Sequence, residues 1–124
     1  MVEFIRFRTQ KKQAIEVHRD DVFRVIERDF PNNFGVVLKL LSGVSCSLIA
    51  SERLCLAHLK LSGGSLEKLR EILTISDSRD VVAGAEYPAY SRLASSEIDD
   101  MPAEEVQRIV DADRQQYVSW LNAE

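Results

Sequence analysis

The residues of this 124-residue chain that could do chemistry are few. Cys46, Cys55 and His58 form the one Cys/His group close enough along the chain to converge. Cys55 and His58 stand three apart, which puts both on one side of a helix and permits shared coordination of a metal ion. The group has no obvious fourth ligand, matches no zinc spacing and is surrounded by Leu54, Leu56 and Leu59, so no metal site is expected. Nucleophilic catalysis would require the fold to bring His18 or His58 to Cys46 or Cys55, because nothing local pairs a nucleophile with a base. No serine sits in a glycine-flanked nucleophile elbow, and no glycine-rich loop leads into a phosphate-holding lysine. Gly63-Gly64 could offer backbone amides to an anion, but a glycine pair there reads first as a helix terminator. No catalytic residue and no cofactor are assigned.

Binding chemistry is better represented. Arg79, Asp80, Glu86, Tyr87 and Tyr90 surround a short helix and the loop that leaves it. Tyr and Arg are the side chains that most often anchor interfaces, and two tyrosines beside Pro88 can stay exposed at little entropic cost. The plainer reading of Arg79 and Asp80 is capping and pairing with neighbouring helices. Trp120 belongs to the same candidate set, because a helix ending Tyr117-Val118-Ser119-Trp120-Leu121 has apolar groups on more than one side. Either that helix docks deeply or one side of it meets a partner. Glu97, Asp99, Asp100, Glu104, Glu105, Asp111 and Asp113 form an acidic run, read as a solvated face or as a surface for a basic partner.

These side chains need helices to position them. Asp20 or Asp21 can cap a helix in which Val22, Phe23, Ile26 and Phe30 recur at helical spacing, ending before Pro31. Asn32 or Asn33 can cap a second helix through Phe34, Val37, Leu38, Leu40 and Leu41, with Gly43 as a left-handed terminator. Ser51 suits the N-cap of a third, whose run from Leu54 to Leu61 is apolar nearly all round and so marks a central helix. Ser62-Gly63-Gly64-Ser65 stops that helix and starts a fourth, with Leu66, Leu69, Ile72 and Leu73 on one stripe; so short a connection makes the two antiparallel neighbours. Asp77 or Ser78 opens a fifth, short helix through Val81, Val82 and Ala85, in which Ala83, Gly84 and Ala85 allow close approach. Residues 89–101 read as loop. The last helix runs from about Pro102 to Leu121 with Val106, Ile109, Val110, Tyr117 and Leu121 on one face, and its early Glu104 and Glu105 suit the positive end of the helix dipole.

The fold class expected is therefore mostly α, a compact bundle of five to six helices forming one domain over 1–124, with its helical core at 20–121. Residues 1–18 are ambiguous: Phe4, Phe7, Lys11, Ile15 and His18 share a helical face, while residues 3–8 and 13–17 also suit a short β-hairpin, which is marginal unless it packs on helices. With 45% hydrophobic and 29% charged residues, the composition is that of an ordinary globular domain. Charge is lopsided, residues 1–62 carrying net +3 and residues 63–124 net −7. Only Arg6, Arg8, Lys11 and Lys12 cluster as cations, which argues against nucleic-acid binding. Two cysteines without a secretory leader read as reduced, and the most apolar stretch, 34–50, is too short and too interrupted for a membrane span. A soluble, cytoplasmic protein is expected.

Residues 53–90 resemble short bacterial helical proteins of unassigned function. The features shared are Arg53-Leu54, Leu59-Lys60-Leu61-Ser62-Gly63-Gly64 running into Leu66-Glu67-Lys68-Leu69-Arg70, then Ser78-Arg79-Asp80-Val81-Val82 and Ala85-Glu86-Tyr87-Pro88. The resemblance implies a bacterial source and a helical core, and it carries no activity, cofactor or catalytic residue. Three functional expectations follow from the residues. The first is a protein-binding or regulatory accessory module acting through the loop from Tyr87 to Met101 and the acidic last helix. The second is a small-molecule-binding domain or enzyme whose inter-helix pocket uses Asp80, Glu86, His58 or Tyr87. The third is a structural homodimer formed through the last helix.

Overall fold

In the computed structural model, residues 15–46, 49–75 and 77–124 are described. The helices are α1 (Arg19–Asp29), α2 (Phe34–Leu41), α3 (Ser51–Ser62), α4 (Leu66–Ile75), α5 (Ser78–Glu86), α6 (Ser95–Asp100) and α7 (Ala103–Asn122), with a 3-10 turn at Tyr90–Arg92 before α6. The chain is mostly α, as its periodicity implies. Among the described residues there are seven α-helices, one more than the upper expectation. The addition is α6, within the stretch read as loop. It buries no residue, so it has no apolar period to reveal it; the Glu97 carboxylate in its first turn accepts from the Ala94 amide at 3.3 Å.

α3 is the central element because almost every side of it is apolar. Leu54, Leu56, Ala57 and Leu59 have no exposed surface, and Cys55, His58 and Ser62 are buried beside them. The helix packs against α1, α4 and α5, and α5 in turn packs against α7. Its two sides feed two clusters. Cys55, Leu56 and Leu59 join Val22, Val25, Ile26 and Phe30 of the α1 region, Val37 and Leu41 of α2, and Tyr117 and Leu121 of α7. Leu54 and Ala57 join Ile72 of α4 and Val81, Val82 and Ala85 of α5. Each fully buried leucine contributes roughly 2 kcal/mol of transfer free energy, so α3 alone supplies a large part of what holds the helices together.

The α3–α4 turn has the expected chemistry. Gly63 and Gly64 take φ of 59° and 83°, left-handed values that a side chain would strain, and the Ser65 hydroxyl accepts from the Lys68 amide at 3.2 Å as the N-cap of α4. Close approach of α5 to α3 is also observed, with Ala85 fully buried and Leu61 3.9 Å from where a Cβ on Gly84 would stand.

Several local expectations are corrected. His18, not Asp20 or Asp21, occupies the N-cap of α1, while Asp21 in the first turn accepts from the His18 amide at 2.9 Å. Phe23 faces outward and meets the Phe34 ring at 6.3 Å, and Val25 takes the core position instead. Gly43 is not left-handed; α2 ends at Ser42 in right-handed geometry, with the Ser42 hydroxyl donating to the Lys39 carbonyl at 2.6 Å. Ser51 is the first residue of α3 and Ala50 its cap. Most of the suggested N-terminal hairpin lies outside the described residues; Ile15 and Val17 have no regular structure and pack against the first cluster.

Tyr117 is the largest fully buried side chain, and its hydroxyl has no hydrogen-bond partner among the described residues. Burial pushes this phenol well above its ordinary range and keeps it neutral. A buried hydroxyl without a partner loses its hydration and gains nothing in return, at about 1 kcal/mol or more. Tyr117→Phe is therefore expected to stabilise the protein by about 1 kcal/mol, raising the thermal midpoint by about 4 °C in a melt followed by circular dichroism.

Candidate functional site

α5 separates the candidate residues into two groups. Arg79 and Asp80 lie exposed in its first turn, which Asp77 caps by accepting from the Arg79 amide at 2.8 Å. Glu86 and Tyr87 lie at its other end, about 10 Å of helix rise away. Arg79 and Asp80 therefore do not join the Tyr87–Tyr90 surface.

Glu86 is 8% exposed and turned inward. The Arg53 guanidinium, from the first turn of α3, donates to both of its carboxylate oxygens at 2.7 Å. This bidentate bond holds Arg53 above its already high ordinary pKa. It also answers an electrostatic problem, because a carboxylate at the negative end of a helix is unfavourable without a cation. The pair takes Glu86 out of the surface and makes it a fastener between α3 and α5.

Beyond Glu86 the chain turns sharply. Pro88 follows the last residue of helical hydrogen bonding, and the Ser91 amide donates to the Tyr87 carbonyl at 2.8 Å. The amides of Ala89 and Tyr90 point toward α7, where the Asp113 carboxylate accepts from them at 3.1 and 2.8 Å. Asp113 is 5% exposed. It therefore leaves the acidic run in which the sequence places it. A signal for this does exist: Val106, Val110, Asp113, Tyr117 and Leu121 all occupy the buried stripe of α7, so an acid stands at an apolar position. Behind it, Lys60 of α3 donates to Gln116 at 2.8 Å; burial lowers the Lys60 pKa and the Asp113 charge opposes that fall.

Tyr87 and Tyr90 are both half-buried, and burial raises both phenols above their ordinary range, with Glu86 adding to the effect at Tyr87. Both are neutral hydrogen-bonding groups at physiological pH. From the 3-10 turn the chain runs through half-buried Leu93, Ile98 and Met101 into exposed Glu97, Asp99, Asp100, Glu104 and Glu105. No cation pairs with Asp99, Asp100, Glu104 or Glu105 among the described residues.

Trp120 stands elsewhere, about 10 Å further along α7 than Asp113. Its ring lies against Tyr117, centroids 5.5 Å apart, and under the Arg28 guanidinium at 5.2 Å. Arg28 also donates to the carbonyls of Trp120 and Ala123 at 2.7 and 2.8 Å, satisfying groups that the end of a helix leaves unpaired. Trp120 is thus half-buried beside α1 and Tyr117.

The cysteines and histidines do not assemble into a reactive group. Burial pushes the Cys55 thiol from about 9 to about 11, leaving almost no thiolate at neutral pH, and the thiol donates weakly to the Leu41 carbonyl at 3.9 Å. The His58 ring is buried with Nδ1 donating to the Leu54 carbonyl at 2.9 Å, since a carbonyl can only accept. No three His, Cys, Asp or Glu side chains converge as metal ligands among the described residues. A groove of about 570 Å³ runs between α1 and the end of α7, beside Arg24, Glu27 and Arg28. A second, of about 260 Å³, lies among Val22, Leu38, Leu41 and Cys55. Neither is lined by Asp80, His58, Glu86 or Tyr87. No described helix is long and apolar enough to cross a membrane. Comparison with family models, with curated proteins and with solved structures returns no match to this chain.

Proposed function

We propose that this chain is a protein-binding or regulatory accessory module of a bacterial cell, presenting the Tyr87–Tyr90 turn and the acidic rim that follows it to a basic partner. The observation that carries the reading is the pairing of two half-buried tyrosines on a tight turn with a run of exposed carboxylates left without cations among the described residues. Aromatic groups ordered before binding anchor an interface without a large entropic penalty, while surface charge steers encounter and sets partner choice. Asp99, Asp100, Glu104 and Glu105 supply the charge. Arg79 and Asp80 sit at the far end of α5, outside this surface.

The test is quantitative affinity purification from the native organism with the wild-type chain as bait. Tyr87→Ala/Tyr90→Ala is expected to weaken retention of the partner about ten-fold. Because both rings are half-buried, that variant also loses about 1 kcal/mol of stability, so Tyr87→Phe/Tyr90→Phe serves as the folded control. Raising the salt concentration should weaken binding further, as screening removes the acidic contribution. Retention that is unchanged by the alanine pair and by salt would rule out this surface. A homodimer through α7 would instead appear as a concentration-dependent mass in sedimentation.

A further inference from the structure

Two successive backbone amides of one segment converge on a single buried carboxylate of another. We propose that Asp113 is the positioning residue of the Tyr87–Tyr90 surface: from the buried side of α7 it holds the turn in one shape and so sets partner affinity without touching the partner. The binding half of this inference rests on the function proposed above; the positioning half does not.

Residues 89 and 90 lie between α5 and α6, in a stretch whose larger apolar side chains are half-buried rather than part of the core. Neither the 3-10 turn nor α6 contributes a residue to the buried core. A buried polar contact fastens its backbone: the Asp113 carboxylate accepts at 3.1 Å from the Ala89 nitrogen and 2.8 Å from that of Tyr90, in a residue 5% exposed. A carboxylate accepting from two consecutive amides specifies the peptide plane between them as well as its position. Asp113 shares the buried stripe of α7 with Val110 and Tyr117, so its backbone is part of a packed helix. Lys60 approaches from α3 and Arg114 stands beside Asp113 in sequence. The carboxylate is directed into the protein and cannot reach a docked macromolecule. Its effect on binding must pass through the turn, which is what separates it from the exposed acids Asp99 and Glu104.

The inference is tested on the full chain with Asp113→Ala and Asp113→Glu, reading amide hydrogen exchange residue by residue and retention of the partner recovered with wild type. In Asp113→Ala the Ala89 and Tyr90 amides are expected to exchange at least ten-fold faster, while α3 and the middle of α7 keep their protection. Partner retention falls in parallel, and Asp113→Glu restores part of both. Unchanged exchange at 89 and 90, or an equal loss of protection across every helix, would overturn the positioning role. Faster local exchange with undiminished retention would overturn its link to binding. Failure of the wild-type chain to retain any partner would remove the proposed function and with it the binding half, while the exchange measurement would still decide whether Asp113 holds the turn.

Discussion

Arg53→Ala is expected to lower the free energy of unfolding by about 3 kcal/mol, seen as a reduced urea midpoint at unchanged slope. The substitution removes both donors from Glu86 and leaves a carboxylate, side chain 10% exposed, at the negative end of α5. Removing one partner of a buried pair costs more than removing both, because the survivor remains charged and desolvated. Arg53 itself is 34% exposed, so water relieves part of the penalty, and the effect belongs at the lower end of the range for buried pairs. The decisive comparison is Arg53→Met/Glu86→Leu. If the interior pair acts as described, this double variant recovers most of the loss, since apolar side chains of similar volume can pack between α3 and α5. A single variant costing under about 0.5 kcal/mol would mean that the pair is merely a surface bridge.

Arg28→Ala is expected to cost about 2 kcal/mol and to shift the emission of Trp120, the chain's single tryptophan, to longer wavelength. Four interactions vanish together: the donation to the Trp120 carbonyl, the donation to the Ala123 carbonyl, the bidentate pair with the Asp29 carboxylate at 2.8 and 3.1 Å, and the stacking over the indole at 5.2 Å. The last turn of α7 is then free to fray. Arg28→Lys should recover less than half of the stability, because an ammonium group cannot reach two carbonyls and cover a ring in the same fixed geometry. Fluorescence and chemical unfolding read on the same samples check both parts. An unmoved emission spectrum would show that the indole is seated by Tyr117 alone.

The core helices were legible because they bury a continuous apolar stripe. α3 could be recognised as central from the run Leu54 to Leu61, and the α3–α4 hairpin from its two glycines and one serine. What periodicity could not decide was the choice between adjacent apolar residues. Phe23 and Val25 both fit a stripe through Val22 and Ile26, and only the position of α2 sends Phe23 outward to Phe34. α6 was illegible for the opposite reason, since a helix held by a polar cap and burying nothing leaves no pattern. The candidate site was read in part. Tyr87 and Tyr90 stand out by their spacing around Pro88, whereas the Arg53 and Asp113 that bond Glu86 and the Tyr90 amide lie 33 and 23 residues away along the chain. Pairing over such separations is a property of topology. Asp113 alone had a local sign, an acid in an apolar stripe, and that sign was hidden among the surrounding acids of its own helix.

The position of α3 between the two apolar clusters has a consequence for cooperativity. Leu54 and Ala57 face one cluster while Leu56 and Leu59, on the same two turns, face the other. Neither cluster can come apart while the other stays closed without exposing a helix that has almost no polar side to offer to water. Loosening α5 therefore loosens α1 and α7 as well. The two helices on which the Tyr87–Tyr90 turn rests, α5 before it and α7 beneath it, therefore stay docked or come loose together.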